Sequence, residues 1–438
     1  MRIACVHVPQ FALQCITRHD PTLRGAAVCV VGAGGPEKRP ALGSPLVIAC
    51  SRAAWALGVR LGMTAASARL LSAELRVIPI DPKLERETTR AIADVLLGAS
   101  KLVDIGGRIG VGGAHLAAYC EVPVKTRGGS YGDRLVELLD GLGVTARIGI
   151  ADDRFTAWVA ASQGSHRDQD AGVVTVPRGG SAAFLAPQPL SLLGIGAEVQ
   201  HMLEALGVTN LGEFAALPAP TVGRPIDRAG GSASIDYQAL ARGDSGHQLR
   251  PYAPDAPICE EVVAGDAVSA PAAIALIGRR IAMRLEGRQR GAARLEAVVS
   301  GPAGERIVPI DQRGQVVSSA SDLADTLSPV VDGSPIWRLR VAVTGEAIGA
   351  TAEIADPPVV EAHEPMIAAL AMALSSPGSG DLFRPLGIPL AGAAIRTERR
   401  DAHLRTRQGT LAKRRRRALL RAGEVAQPRL FSSGSGGD

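Results

Sequence analysis

Short apolar runs alternate with amphipathic segments along the first hundred residues. Residues 2–8 (RIACVHV) are apolar at nearly every position, the pattern of a strand covered on both faces. Pro9-Gln10 interrupts the run, residues 11–18 carry helical spacing, and Asp20 to Gly25 supplies the Asp, Pro and Gly of a turn. Further strands are predicted over 26–31 (AAVCVV), 46–50 and 75–80. Two short helices are expected over 52–59 and 64–71, divided by a turn around Gly62, and a longer one over 85–97.

The stretch from Asp104 to Glu121, DIGGRIGVGGAHLAAYCE, has an apolar beat (Ile105, Ile109, Val111, Leu116, Tyr119) and no carboxylate from Ile105 through Cys120. Gly107, Gly110 and Gly112 suggest a loop whose backbone approaches a pyrophosphate, as in a protein that binds NAD or ATP. They do not fit G-x-G-x-x-G, and residues 123–130 predict no helix directly after them. Two glycine-rich strands joined by a turn is the other reading.

Farther on, Gly194-Ile195-Gly196 lies between two amphipathic segments, with Leu203, Leu206, Val208, Leu211 and Phe214 at packing intervals and Gly207 as a helix C-cap. Such a hairpin either presents backbone N–H groups to a phosphate, with glycine allowing close approach, or simply packs. Residues 245–257 are polar and Pro-rich, a linker. From there the predicted order is strand, helix, strand, strand, helix, strand, over 258–263, 271–286, 293–299, 306–310, 319–327 and 336–343. Arg279, Arg280, Arg284, Arg288, Arg290 and Arg294 cluster in and after the first of these helices, as an exposed basic face or as a surface that tracks phosphates. Residues 366–374 read as helical, and the Ser, Pro and Gly of 375–380 mark where order thins out.

At 438 residues the chain is too long for one ordinary core, so about two to four domains are expected. The six cysteines are scattered without a CxxC pair, which predicts buried, reduced thiols in a cytoplasmic protein. No apolar stretch approaches the ~18 residues of a membrane span, and Met1-Arg2 leads straight into a strand rather than a signal peptide. Charge is unevenly placed. Residues 391–438 hold 12 Lys/Arg against 4 Asp/Glu, so the tail is at +8 and the preceding 390 residues at −3 within a total of +5. A run such as Lys413 to Arg417 is either a solvated, disordered segment or a sequence-independent phosphate contact.

Four blocks in series resemble the Y-family translesion DNA polymerases. Residues 20–31 (DPTLRGAAVCVV) resemble that family's "NPxLKGkPvvV", and residues 56–81 (ALGVRLGMTAASARLLSAELRVIPID) resemble its "fGVrsGMp..eAk.lcP.l..lp.d". Residues 144–161 (VTARIGIADDRFTAWVAA) resemble "vtvsvGIa.nk..AkiAs", and residues 192–217 (LLGIGAEVQHMLEALGVTNLGEFAAL) resemble the thumb's "v.GiG..t...L..lGi.tvgdLa.l". The resemblance implies a multidomain α/β (α+β) right hand. Its parts would be a palm at 1–10 and 79–165, fingers at 11–78, and a thumb with a helix-hairpin-helix at 183–244. A βαββαβ little finger would follow at 256–345, then a C-terminal region at 361–438 that is basic and largely disordered from about 391.

Metal-assisted nucleotidyl transfer needs carboxylates that converge on two Mg²⁺ ions. In the family pattern one Asp comes from the first strand and an Asp-Glu pair from a palm hairpin. Here the first position falls on His7, and no acid occurs before Asp20. The hairpin pair falls near Gly106, Gly107, Arg108 and Ile109, the steric-gate aromatic near Ala12, and the triphosphate contacts near Arg52 and Trp55. Asp104 alone does not make a two-metal site, and Asp152 and Asp153 read as acids at a helix N-terminus. No metal or cofactor is therefore expected. The alternative is an active lesion-bypass polymerase whose acids lie in another register.

A non-catalytic Y-family chain resembles the ImuB group of damage-induced mutagenesis proteins. Its implied partners are primer-template DNA, the bacterial sliding clamp, an error-prone C-family DNA polymerase and a RecA-like accessory protein. Gly194, Gly196, Arg279, Arg280, Arg284, Arg288 and Arg290 are the expected DNA contacts. In the tail, Gln427-Pro-Arg-Leu430-Phe431 fits the Q-x-x-L-F form of a clamp-binding peptide, with Leu430 and Phe431 entering an apolar cleft and Gln427 bonded at its edge.

Overall fold

The computed structural model describes residues 1–32, 45–109, 114–124, 128–163, 172–218, 236–246, 248–264, 268–312, 314–331, 335–348 and 354–355. In chain order the strands are β1 (Ile3–Val8), β2 (Val28–Gly32), β3 (Leu46–Cys50), β4 (Arg76–Pro79), β5 (Val103–Ile109), β6 (His115–Glu121), β7 (Arg147–Ala151) and β8 (Gly172–Thr175). They continue as β9 (Cys259–Val263), β10 (Gly291–Gly301), β11 (Gly304–Asp311), β12 (Arg338–Ala347) and β13 (Ile354–Ala355). The helices are α1 (Phe11–His19), α2 (Arg52–Ala56), α3 (Ala65–Arg69), α4 (Pro82–Leu97), α5 (Gly128–Leu142) and α6 (Arg154–Ser162). After them come α7 (Ser181–Leu185), α8 (Ala197–Ala205), α9 (Leu211–Ala216), α10 (Tyr237–Ala241), α11 (Ala270–Arg288) and α12 (Ala320–Leu327).

The first sheet has the order β5-β6-β1-β7-β8, with β1 antiparallel to both neighbours and β8 parallel to β7. All six residues of β1 are buried because both faces of the sheet are covered. Ala4, Val6 and Val8 point to the side where Phe11, Ile92, Leu96, Leu135 and Leu139 of α1, α4 and α5 pack. Ile3 and Cys5 point to the other side, against α6 and the small helical cluster from α7 to α10. Gly149 lets α6 lie directly on β7, since a Cβ there would run into the carbonyl oxygen of Ala157.

The predicted α/β alternation is found, with additions that include β8, α7 and α5. Helix α5 occupies 128–142 and so begins inside the stretch 123–130 expected to hold none. Its apolar positions Tyr131, Leu135, Leu139 and Leu142 recur at helical spacing and supply its buried face.

A second sheet, β11-β10-β12-β13 with β9 on β12, carries α11 and α12 on one face over a core of Leu295, Ala297, Leu339 and Val341. A smaller three-stranded sheet, β3-β2-β4, is inserted in sequence between β1 and β5 of the first sheet. Helices α4 and α11 approach closely where Gly98 meets Gly287, the distance from an ideal Gly98 Cβ to the Gly287 Cα being 3.4 Å. All six cysteines are free, five of them buried and Cys259 half-buried. Among the described residues no helix is long and apolar enough to cross a membrane.

Candidate functional site

Register, not sequence spacing, decides which side chains meet on the α6 side of the first sheet. His7 pairs with Ala117 of β6 and Arg147 of β7, and Ala117 pairs in turn with Gly107 of β5. One ladder step away, Cys5 pairs with Tyr119, which pairs with Asp104. A strand presents alternate residues on one face, so His7, Cys5, Ala117, Tyr119, Gly107 and Asp104 share this side. A β-bulge between Ile105 and Gly107 leaves Gly106 outside the ladder. Any side chain there would collide, because an ideal Cβ lies 2.5 Å from Tyr119 Cε2 and 3.0 Å from Arg154 Nη2.

Arg154 occupies the space that Gly106 leaves. It is the first residue of α6, whose N-cap Asp153 accepts from the Thr156 backbone N–H at 2.9 Å. From there the guanidinium reaches back over the sheet. Its Nη1 donates to Asp104 Oδ2 at 2.8 Å, and its Cζ stands 4.1 Å from the centre of the Tyr119 ring, a cation–π contact. The backbone N–H of Arg250 donates to the same Asp104 oxygen at 3.0 Å. Both partners are buried, at 1% and 4% exposure. Burial pushes the Cys5 thiol up to about 12 against the pull of Arg154, so it is a packing group rather than a nucleophile. The Tyr119 hydroxyl is likewise raised by burial, with the Cys5 thiol adding to it.

This face does not fit a pair of Mg²⁺ ions. The row level with His7 offers an imidazole, a methyl group and a glycine, whereas Mg²⁺ is held by oxygen ligands. The nearest carboxylate, Asp104, is already paired. The His7 ring lies beside His115, centroids 5.1 Å apart, and His115 Nδ1 accepts from the Gln10 backbone N–H at 3.3 Å. Asp152 and Asp153 do not converge either. Asp152 accepts from Gly179 N at 2.6 Å and faces Arg2, while Asp153 caps α6 and is raised from its ordinary value by burial, which Thr156 partly offsets. Among the described residues no three His, Cys, Asp or Glu side chains are grouped to hold a metal ion.

The other sequence-derived positions are scattered. Ala12 is a buried core residue of α1, and Trp55 lies at the surface with Arg60 Cζ 4.1 Å from its ring centre. Gly194, at φ +63°, closes the 3₁₀ turn Leu190–Leu193, and Gly196 is the N-cap of α8 with open space where its Cβ would be. Gln427, Leu430 and Phe431 lie outside the described residues.

The arginine cluster of α11 divides in a way that corrects the expected phosphate surface. Arg279 is exposed and Arg290 half-buried, but Arg280, Arg284 and Arg288 form an i, i+4, i+8 stripe turned inward. Arg284 Nε donates to Asp94 Oδ2 at 2.9 Å and its Nη1 to Glu260 Oε1 at 2.9 Å. Arg288 donates to Asp94 Oδ1 at 2.9 Å and to Glu346 Oε1 at 2.6 Å. Arg280 donates to the carbonyl of Arg18, and Arg18 is itself paired with Glu260. These three arginines join α11 to α1 and α4 and do not form an exposed basic face. The signal that marks them is Asp94, a lone acid on the apolar face of α4, which requires a cationic partner when buried. Nor is the open face of the second sheet basic: Glu261, Glu296, Glu305 and Asp311 accompany Arg294, Arg338 and Arg340 on it.

Residues 6–162 match the impB/mucB/samB family. The chain is 31% identical over 205 residues to a DNA polymerase IV of Dehalococcoides mccartyi, covering 45% of this chain and 48% of that one. It is 27% identical over 288 residues to Protein ImuB of Caulobacter vibrioides, covering 63% of this chain and 58% of that one. The chain thus spans about half the length of the curated relatives it matches. Among solved structures, a post-insertion binary complex of Dbh DNA polymerase aligns with 80% of this chain and 99% of its own at 15% identity and a TM-score of 0.47. DinB from Sulfolobus solfataricus aligns with 78% of this chain and 98% of its own at 16% identity and a TM-score of 0.43. Through residues 6–162 the chain is similar to the impB/mucB/samB family.

Proposed function

We propose that this chain is a non-catalytic Y-family homologue of the ImuB type, a cytoplasmic scaffold in damage-induced translesion synthesis. The observation that carries the reading is the ladder row His7, Ala117, Gly107, together with Asp104 held by Arg154. Where a polymerase needs converging carboxylates, this face supplies none that is free. In this reading the first sheet is the palm, the small sheet with α2 and α3 the fingers, α7 to α10 the thumb, and the second sheet the little finger.

The scaffold binds primer-template DNA through backbone groups at Gly194 and Gly196 and through Arg279 and Arg290. Gln427, Leu430 and Phe431 engage the sliding clamp. An error-prone C-family polymerase and a RecA-like protein are the recruited partners. Primer extension by the purified full-length chain with Mg²⁺ tests the central point, and robust incorporation would refute it. Replacing Leu430 and Phe431 with Ala should abolish retention on immobilised clamp; unchanged retention removes the tail from the proposal. DNA affinity should fall steeply with salt and show little sequence preference.

The second reading, an active lesion-bypass polymerase, is favoured by the similarity to DNA polymerase IV relatives. The same extension assay decides between the two.

A further inference from the structure

Arg280 is completely buried in α11, yet among the described residues it makes no ion pair of its own. Its Nη2 donates to the Arg18 carbonyl at 3.1 Å, while Nε and Nη1 find no acceptor among the described residues. Glu260, the carboxylate close by among the described residues, is engaged by both Arg18 and Arg284. Two exposed arginines stand next to it: Arg24, which follows the turn Pro21–Leu23, and Arg279, its neighbour in α11. Neither has a carboxylate partner among the described residues.

Arg280 and Arg24 meet beside one turn. Gly143, half-exposed in the turn between α5 and β7, has φ +85° and no side chain. The place its Cβ would take lies 3.0 Å from Arg280 Nη2 and 3.6 Å from Arg24 Nη2. An unpaired buried guanidinium is destabilising, and like charges beside it add to the cost. A tetrahedral oxyanion relieves both, because each guanidinium fork donates two parallel N–H groups to its oxygens.

We propose that Arg24, Arg279 and Arg280 form an anion site over Gly143 that takes a phosphate group. Arg24 and Arg279 contact it from the surface, and Arg280 supplies an uncompensated charge from beneath. Burial, followed by the charge of Arg18, makes Arg280 hold its proton less tightly than an ordinary arginine, with Glu260 opposing and Arg24 and Arg279 contributing, as expected for a site short of negative charge. The site is on the α1, α5 and α11 side of the first sheet, across from His7, so whatever binds there is distinct from anything bound over that face.

The full-length chain is titrated with inorganic phosphate at constant ionic strength, with sodium chloride as the compensating salt, and Tm is followed. A saturable rise in Tm is expected. Arg24→Glu, a surface change, should raise the half-effect concentration at least about tenfold. Arg280→Met should remove the response while leaving Tm in phosphate-free buffer equal to or above that of the wild type, since an unpaired charge is lost. A response that chloride reproduces, or that Arg24→Glu leaves unchanged, overturns the proposal. A duplex without terminal phosphates distinguishes the source. If it competes with phosphate and binds more weakly to Arg24→Glu, the site takes a phosphodiester of the DNA backbone; if its affinity is the same in both while the phosphate response is lost, the site takes free phosphate.

Discussion

Arg154 and Asp104 form a buried ion pair, Nη1 to Oδ2 2.8 Å, on the sheet face that also carries His7. The pair joins α6 to β5 and consumes the nearest carboxylate to the hairpin. Breaking a buried pair from one side leaves a charge without compensation, at a cost of about 3–5 kcal/mol. Asp104→Asn should therefore lower unfolding stability by that amount in urea, and the double variant with Arg154→Met should recover part of the loss. Equal stability of the single variant and the wild type would show that the pair contributes nothing.

Putting acids back should not rebuild a polymerase. His7→Asp supplies one oxygen ligand, but Gly106 cannot accept a side chain beside Tyr119 and Arg154 without displacing them. His7→Asp is expected to give no Mg²⁺-dependent extension. Gly106→Glu should cost about 1–3 kcal/mol or more through overpacking, read as a lower Tm. Extension by either variant would show that this face can still hold the metal ions.

Glu260 makes the junction of α11 with α1 sensitive to acid. Burial pushes its carboxyl up, but Arg18, Arg284 and Arg280 together hold it below the ordinary value. Its contribution to stability is thus complete above the unfolded carboxylate value of about 4.3 and is lost as pH falls through the lower folded value. Wild-type Tm should drop steeply in that acid window. Glu260→Gln should melt lower at neutral pH and show a flatter acid limb; parallel curves would contradict this.

Gly287 sets how closely α11 can approach α4. A Cβ at this position would overlap the Asp94 carbonyl, and backbone cannot rotate away as a side chain can. Gly287→Ala is expected to destabilise by about 1–3 kcal/mol by overpacking, although alanine is the better helix former. A neutral or stabilising effect in a denaturant titration would mean that the two helices are not held at this crossing.

Much of the fold was legible in the chain itself. The unbroken apolar run of β1, the period of α4 and the strand-helix order around α11 all follow from local pattern, because a strand covered on both faces and an amphipathic helix leave different spacings. So was the absence of acids at His7 and in the 105–120 stretch, which is a matter of residue identity alone. Helix α5 was missed although its spacing was present, since the Gly and Ser at its start read as loop. What the sequence could not settle was direction. Arg280, Arg284 and Arg288 look the same as an exposed basic stripe until α4 brings Asp94 and β9 brings Glu260 opposite them. Arg154 likewise gains its meaning only from the bulge at Gly106, far earlier in the chain. A charge's role depends on the dielectric and the partner around it, and both are properties of the folded chain.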